Sequence, residues 1–450
     1  MDTVQFLQDW VRRYRTLLLL SLLLSLAAFL RLQNLSSMEF KHDEAVNSMM
    51  ACLIADGEFF PASGMMSSVG NENAPFFIYL MSIPYLLTRD PVIATAFICL
   101  LNVCAVGLLF RLGSLIGGAA CGWIASVLFA VNPWAVYYSR KIWQQDALAP
   151  FVIGFVYCCL VLAIRKQPRY LVIGGLACAL MTQLHMTTIV LGLLLVVSAF
   201  HARSQLRWKH WGAAFVLFML PYAPYLFFDA LEHWPNVDAI LHGRRIAPRF
   251  QPAVSMAPGR LLSGTGFLFH VPYGGQLFLW IAMAGGLVAT FLQIRHPLYQ
   301  LLGLWLVLPV VTMTFSRIVF HQHYLVSVLP CAILLASIGL ERAMQFFNGR
   351  RYAVPVLLAL VISCAAAHAV TSIQFNRAVT RQPNIAWDGY GPPFRVQLRK
   401  IRKVASRTPT ANPVSFYGTL LSLLPPEQRG NYYLSATKYV LTNLDKIRTW

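Results

Sequence analysis

Long apolar runs recur along the whole chain, separated by short polar loops. They fall near residues 16–33, 91–110, 114–136, 147–164, 170–184, 186–202, 211–228, 276–294, 298–315, 323–340 and 352–371. The runs are continuous, whereas strands of a membrane barrel alternate polar and apolar positions, so the pattern predicts helices. A membrane-crossing helix needs roughly 20 apolar residues. The run at 75–88 (PFFIYLMSIPYLLT) is shorter and carries Pro84. It reads as an interfacial or re-entrant helix on the outer face.

Basic residues set the orientation. Arg12, Arg13 and Arg15 precede the first run, which is long and lacks a small-residue cleavage site, as in an uncleaved signal anchor. The positive-inside rule then puts the N-terminus in the cytoplasm. The alternate loops holding Arg111, Arg165 with Lys166 and Arg169, Arg203 with Arg207 and Lys209, Arg295, and Arg342 with Arg350 and Arg351 all come out inside. The polar stretch 34–73, the long loop 229–275 and the tail 372–450 come out outside. The tail reads as a basic helix at Phe394–Arg407 followed by strand-like segments at Val414–Tyr417 and Lys438–Leu441.

Composition narrows the class. Of 450 residues, 57% are hydrophobic and 12% charged, and the mean hydropathy is +0.58. These values exclude a soluble globular enzyme, a disordered chain and a disulfide scaffold. The expected fold is an all-α polytopic membrane protein of about eleven transmembrane helices. Outer-face juxtamembrane helices and a small C-terminal extramembrane α/β appendage complete it. The expected division is a membrane domain at 1–371, including outer segments 31–90 and 229–275, and a basic outer domain at 372–450. The net charge of +19 reflects cytoplasmic loops and lipid headgroups rather than nucleic-acid binding. Eight of the nine cysteines lie in apolar stretches and no CxxC occurs, so neither zinc nor a disulfide framework is indicated.

The acids are unevenly placed. Seven of seventeen lie between residues 39 and 90, and the predicted spans carry no carboxylate in their interiors. An ion-coupled transporter places carboxylates near the midplane, so the chemistry is expected at the outer surface. Asp43 and Glu44 follow the first span. Read alone, they are a solvated loop with an N-cap aspartate opening a helix at Ala45. Asp146, at the outer end of a later span, read alone suits a helix N-terminus. Together, acids from distant elements can converge for acid–base work or metal binding. Arg140, Lys141, Arg317, His321 and His323 sit at the same face, where they would meet lipid headgroups or form a phosphate-binding cluster. His185 lies between two short spans. It would hydrogen-bond between helices or line a lipid-substrate cavity.

The Asp43-Glu44 pair past the first span, the Asn73-Ala74-Pro75-Phe76-Phe77-Ile78-Tyr79 segment, and Asn132-Pro133 with Ser139-Arg140 leading to Asp146 resemble the C-type glycosyltransferases. So does Ser316-Arg317 followed by His323-Tyr324-Leu325 and Pro330. The likeness is closer to the protein O-mannosyltransferases and the bacterial aminoarabinose transferases that modify lipid A. The chain departs from the latter at Asn73-Ala74, where many carry a lysine before the proline.

The resemblance implies an inverting transfer of a sugar from a polyprenyl-phosphate donor to a lipid, glycan or protein acceptor at the outer face. Asp43 would be the general base, Glu44 would orient acceptor or base, and Asp146 would position substrate. No cofactor is certain, and an optional divalent metal would use Asp43 and Asp146. Arg140, Lys141, Arg317, His321 and His323 would neutralise the leaving phosphate. Tyr79, His185 and Tyr324 would line the substrate cavity. Were the acceptor itself a phosphate, Asp43 would only position it. Membrane lipids are the remaining partners, and the setting implied is a bacterial inner membrane. A non-catalytic transporter or flippase, and a polysaccharide polymerase or ligase, are the alternative readings.

Overall fold

The computed structural model describes residues 3–67, 70–242, 248–267, 271–381 and 393–405. The strand-like segments expected at 414–417 and 438–441, and with them the α/β appendage, lie outside the described residues. Among the described residues the structure is helical. Its only β pairings there are isolated bridges between Glu39 and Pro393 and between Met66 and Glu72.

In chain order, α1 is Thr3–Leu32, α2 His42–Ala55, α3 Phe76–Tyr85, α4 Pro91–Val131 and α5 Pro133–Tyr137. α6 is Leu148–Arg165, α7 Arg169–Leu184, α8 Gly192–His201 and α9 Trp208–Met219. α10, Ala223–Leu231, completes the span that α9 begins, and the long outer loop of the sequence reading holds α11 (Pro235–His242) and α12 (Ala257–Ser263). α13 is Tyr273–Leu292, α14 Pro297–Thr314, α15 Leu329–Phe346, α16 Ala353–Arg381 and α17 Phe394–Ala405.

Eight helical segments among the described residues are long and apolar enough to cross a membrane. Two further predicted spans appear as the shorter apolar segments Arg169–Leu184 and Met186–His201. The 41-residue α4 accounts for two predicted runs. It is interrupted at Gly117 and Gly118, and Gly118 takes φ +81°, a conformation open to glycine. A Cβ added at Gly113 would lie 2.9 Å from Gly122 Cα. In a straight helix those residues stand about 13 Å apart. The chain therefore folds back at Gly117–Gly118, and Phe110 packs on Trp123 across the hairpin at 4.7 Å. α3, at ten residues, is too short to cross. α16 runs to Arg381, ten residues past the expected boundary at 371.

The centre of the bundle is the segment Gln322–Phe346, whose apolar window is 83% buried. α13 packs against α15 through backbone contact. A Cβ at Gly286 would stand 1.8 Å from Leu335 O, and one at Gly339 would stand 2.0 Å from Ala282 O. In a membrane the driving force for such a crossing is close van der Waals approach, which small residues permit. Gly339→Ala must push the helices apart, so a loss of about 1–3 kcal/mol is expected. Gly154→Ala, which meets open space, should leave the thermal midpoint in detergent unchanged. Equal midpoints for both variants would contradict this packing.

Two buried arginines tie helix ends together. The last four carbonyls of a helix lack intrahelical partners. Arg31, in the last turn of α1, is fully buried and donates to Ala130 O at 2.8 Å and Phe129 O at 3.3 Å, at the end of α4. Arg140 in turn donates to Arg31 O, to Gln33 O at 2.9 Å and to Asn34 O at 3.4 Å, closing the end of α1. Each guanidinium places its charge at the negative end of a helix dipole. His368 of α16 is also buried within a span, beside Gly264; the sequence reading gives it no role.

Candidate active site

The segment after α1 turns at Asn34, which takes a left-handed conformation (φ 49°). It then delivers Glu39, Lys41, Asp43 and Glu44 to the end of the bundle where α4 begins and ends. α2 starts at His42, three residues earlier than expected, so Asp43 and Glu44 sit inside its first turn. Glu44 Oε2 accepts the Lys41 backbone N–H at 2.9 Å. Negative side chains suit this position next to the exposed N–H groups of a helix start.

Lys141 is the hub. It follows the short α5, which Asn132 caps by accepting Ala135 N–H at 3.0 Å. Asn132 Nδ2 also holds α12 through Leu261 O and Leu262 O, both at 2.9 Å. The Lys141 ammonium pairs with Glu39 Oε2 at 3.1 Å. It lies 4.7 Å from the Trp143 ring centroid and 5.3 Å from that of Tyr137. Glu39 also pairs with Lys41. Asp43, Glu44 and Asp146 all lie within electrostatic reach of Lys141. Asp146 Oδ2 accepts the Lys141 backbone N–H at 3.1 Å, while its Oδ1 is buried without a partner. Asn102 Nδ2 pins this loop through Asp146 O at 2.7 Å.

Burial raises the Asp43 carboxyl above its ordinary range, partly offset by His42. It pushes Glu44 up to about 8, helped by Glu39 and opposed by Lys141. For Lys141, burial acts downward, but Glu39, Tyr137, Glu44 and Asp146 outweigh it and hold the ammonium well above the usual lysine range. The site is thus a buried lysine among four carboxyl groups, with Glu44 proton-bearing near neutrality.

Trp143 links this group to a second one. Its ring lies 4.5 Å from His323, which packs on Tyr324 at 4.4 Å and stacks on His321 at 5.5 Å. His185 stands 5.6 Å from Tyr324 and 6.5 Å from His323. It ends α7 in an extended conformation, at the turn into α8. Tyr79 donates to Pro61 O at 3.0 Å, which holds the loop before α3.

The predicted cations separate. Lys141 and the histidines converge, whereas Arg140 points into the end of α1 and lies 2% exposed. Arg317 is exposed and makes no ion pair or hydrogen bond among the described residues. Its loop is shaped by Gln251, which sequence reading passes over. The Gln251 Nε2 donates to Ser316 O at 2.8 Å and Ile318 O at 2.9 Å, and its Oε1 accepts Phe320 N–H at 3.0 Å. Glu39 and Asn47 were also missed as site residues. Asn47, one turn after Asp43, is fully buried with both amide atoms unpaired. Among the described residues no three His, Cys, Asp or Glu side chains are arranged to share a metal ion. The Lys141 ammonium already supplies positive charge between the carboxylates.

Residues 72–228 match the family described as dolichyl-phosphate-mannose-protein mannosyltransferase. That stretch contains Arg140, Lys141, Asp146 and His185 but begins after Asp43. Among solved structures, ArnT from Cupriavidus metallidurans bound to undecaprenyl phosphate aligns with a TM-score of 0.62 at 14% identity, over 95% of this chain and 88% of that one. The same protein in its apo state gives 0.59 at 15% identity, with the same coverage. The archaeal oligosaccharyltransferase AglB from Archaeoglobus fulgidus, in complex with an inhibitory peptide and a dolichol-phosphate, gives 0.57 at 12% identity. There the match covers 94% of this chain and 61% of that one, so this chain spans about three fifths of the archaeal enzyme's length. No curated protein matches the sequence significantly. The chain thus shares the fold of these C-type glycosyltransferases.

Proposed function

We propose that the chain transfers a sugar from a polyprenyl-phosphate donor to an acceptor at the outer face of the membrane, with inversion. The observation that carries this reading is the gathering of Asp43, Glu44 and Asp146 around Lys141 at one end of a C-type fold. Structures of the same fold hold undecaprenyl phosphate or dolichol-phosphate, which supports the donor class.

The Asp43 carboxylate accepts the proton of an acceptor hydroxyl as its oxygen attacks the anomeric carbon. The bond from that carbon to the phosphate oxygen breaks, and its electron pair leaves with the lipid phosphate. A raised carboxyl is a stronger base than an ordinary aspartate, which suits this task near neutral pH. Glu44, largely protonated, orients the acceptor, and Asp146 presents its unpaired Oδ1 to a substrate hydroxyl. Lys141 keeps the carboxylate group from repelling itself apart.

Arg140 is engaged with carbonyls of α1, so the leaving phosphate falls to Arg317 with His321 and His323. His185, Tyr324 and Tyr79 border the substrate. Preorganised charge of this kind stabilises the developing anion. Arg317→Ala should weaken binding of a polyprenyl-phosphate lipid by about ten-fold or more, since charge-assisted hydrogen bonds contribute about 1.5–3 kcal/mol. Acceptor affinity should hold. Unchanged lipid affinity, measured on protein with normal thermal stability, would remove Arg317 from the phosphate site.

The reaction is tested by supplying the purified chain with a polyprenyl-phosphate sugar and a membrane extract as acceptor source. Free polyprenyl phosphate should appear with wild type and not with Asp43→Asn. Orientation is tested by reporter fusions at Gly70 and Arg203, expected to read outside and inside respectively. The opposite pair of signals would invert the assignment.

A further inference from the structure

Helix α17 carries five basic residues and no acid in FRVQLRKIRKVA. One face is buried against the segment that leads into the site. Phe394 is fully buried and Leu398 is 3% exposed. Phe394 packs edge-on against Phe40 at 5.2 Å. Phe394 N–H donates to Met38 O at 2.8 Å, and Gln397 Nε2 donates to Phe40 O at 2.7 Å. The bridge between Glu39 and Pro393 adds a backbone tie beside the glutamate that pairs with Lys141. Arg395, Arg399 and Arg402 follow the i, i+4, i+7 spacing of a second helical stripe. Arg395 donates to Thr380 O in the last turn of α16, and Arg399 is exposed, with no carboxylate among the described residues paired to it.

Thr380 marks the level at which a helix long enough to span the membrane ends. Arg395 is bonded to that end, and the end of a helix that crosses a bilayer emerges beside the headgroups. Basic residues close to an anionic membrane surface gain about five-fold in affinity each. We propose that α17 docks on anionic lipid headgroups beside the site, and in doing so braces the Met38–Phe40 segment that delivers Glu39, Asp43 and Glu44. The lipid is recognised by negative charge at the bilayer surface rather than by a fitted pocket. This goes beyond the transfer reaction and does not depend on it.

The test uses the full chain in vesicles of mixed phosphatidylcholine and phosphatidylglycerol, with a photocrosslinking side chain at Val396 and no donor or acceptor present. Mass spectrometry of the adducts should show phosphatidylglycerol enriched by about ten-fold over its share of the bilayer, as expected for one to two nearby cations. High salt should remove the enrichment, because exposed charges are screened. Arg399→Gln with Lys403→Gln should reduce it to the bulk ratio, while Arg399→Lys with Lys403→Arg should retain it. Adducts that follow bulk composition in the wild type would overturn the proposal. So would enrichment that survives both the neutral pair and high salt. Because the readout involves no turnover, failure of the transfer reaction would leave this result standing.

Discussion

Asp43→Asn is expected to lower turnover by about 10²–10⁴-fold, the contribution of a general base, with polyprenyl-phosphate binding retained. The amide keeps the shape of the carboxyl but cannot take a proton. The pH profile supplies a second signature. Asp43 must be ionised to act, and burial raises its titration above the ordinary carboxylate range. Activity should therefore fall as pH drops through that raised value, a limb that lies higher than a solvated aspartate would give. A phosphate acceptor needs little base, so a drop smaller than ten-fold would identify that acceptor class. Unchanged turnover would remove Asp43 from the mechanism.

Lys141→Met should be the most destabilising change at the site. The ammonium is 8% exposed, pairs with a glutamate that is 2% exposed, and faces three further carboxylates. Removing one partner of a buried pair costs about 3–5 kcal/mol, because the other charge is left uncompensated. Thermal midpoint and yield in detergent should fall together. Adding Glu39→Gln should recover much of the loss, since Lys41 and Lys141 are the cations that glutamate answers. A double variant no more stable than Lys141→Met would contradict the pairing.

Stability should also depend on pH in a stated direction. Glu44 titrates at about 8 in the fold against 4.5 in its ordinary state. Between those values the folded state holds a proton that the unfolded state has released. Its contribution is therefore complete below the ordinary value and is lost as pH rises through about 8. Glu44→Gln should flatten that part of the curve, read as thermal midpoint against pH.

The apolar runs were legible because membrane spans are written locally, in consecutive residues. The hairpin in α4 was expected near Arg111 and falls at Gly117–Gly118. Charge marks a loop, but the turn itself forms where glycine permits it. The shortness of α3 was legible for the same local reason. Contacts between distant segments were less so. Nothing in the neighbourhood of Glu39 announces Lys141, 102 positions away, and His185 meets His323 only because two helix ends share one end of the bundle. Arg140 and Lys141 are adjacent in sequence and read as one cluster. The turn after α5 sends one into the end of α1 and the other among the carboxylates. Gln251 was hidden for a related reason: a glutamine in a polar loop carries no signal until the backbone it holds is in place.

The central claim is that this chain moves a sugar off a polyprenyl-phosphate lipid. Purified protein incubated with donors radiolabelled in the sugar should transfer label to an acceptor, with the anomeric configuration inverted, and Asp43→Asn should not. Label that only crosses the bilayer while still attached to its lipid would identify a flippase and contradict the account.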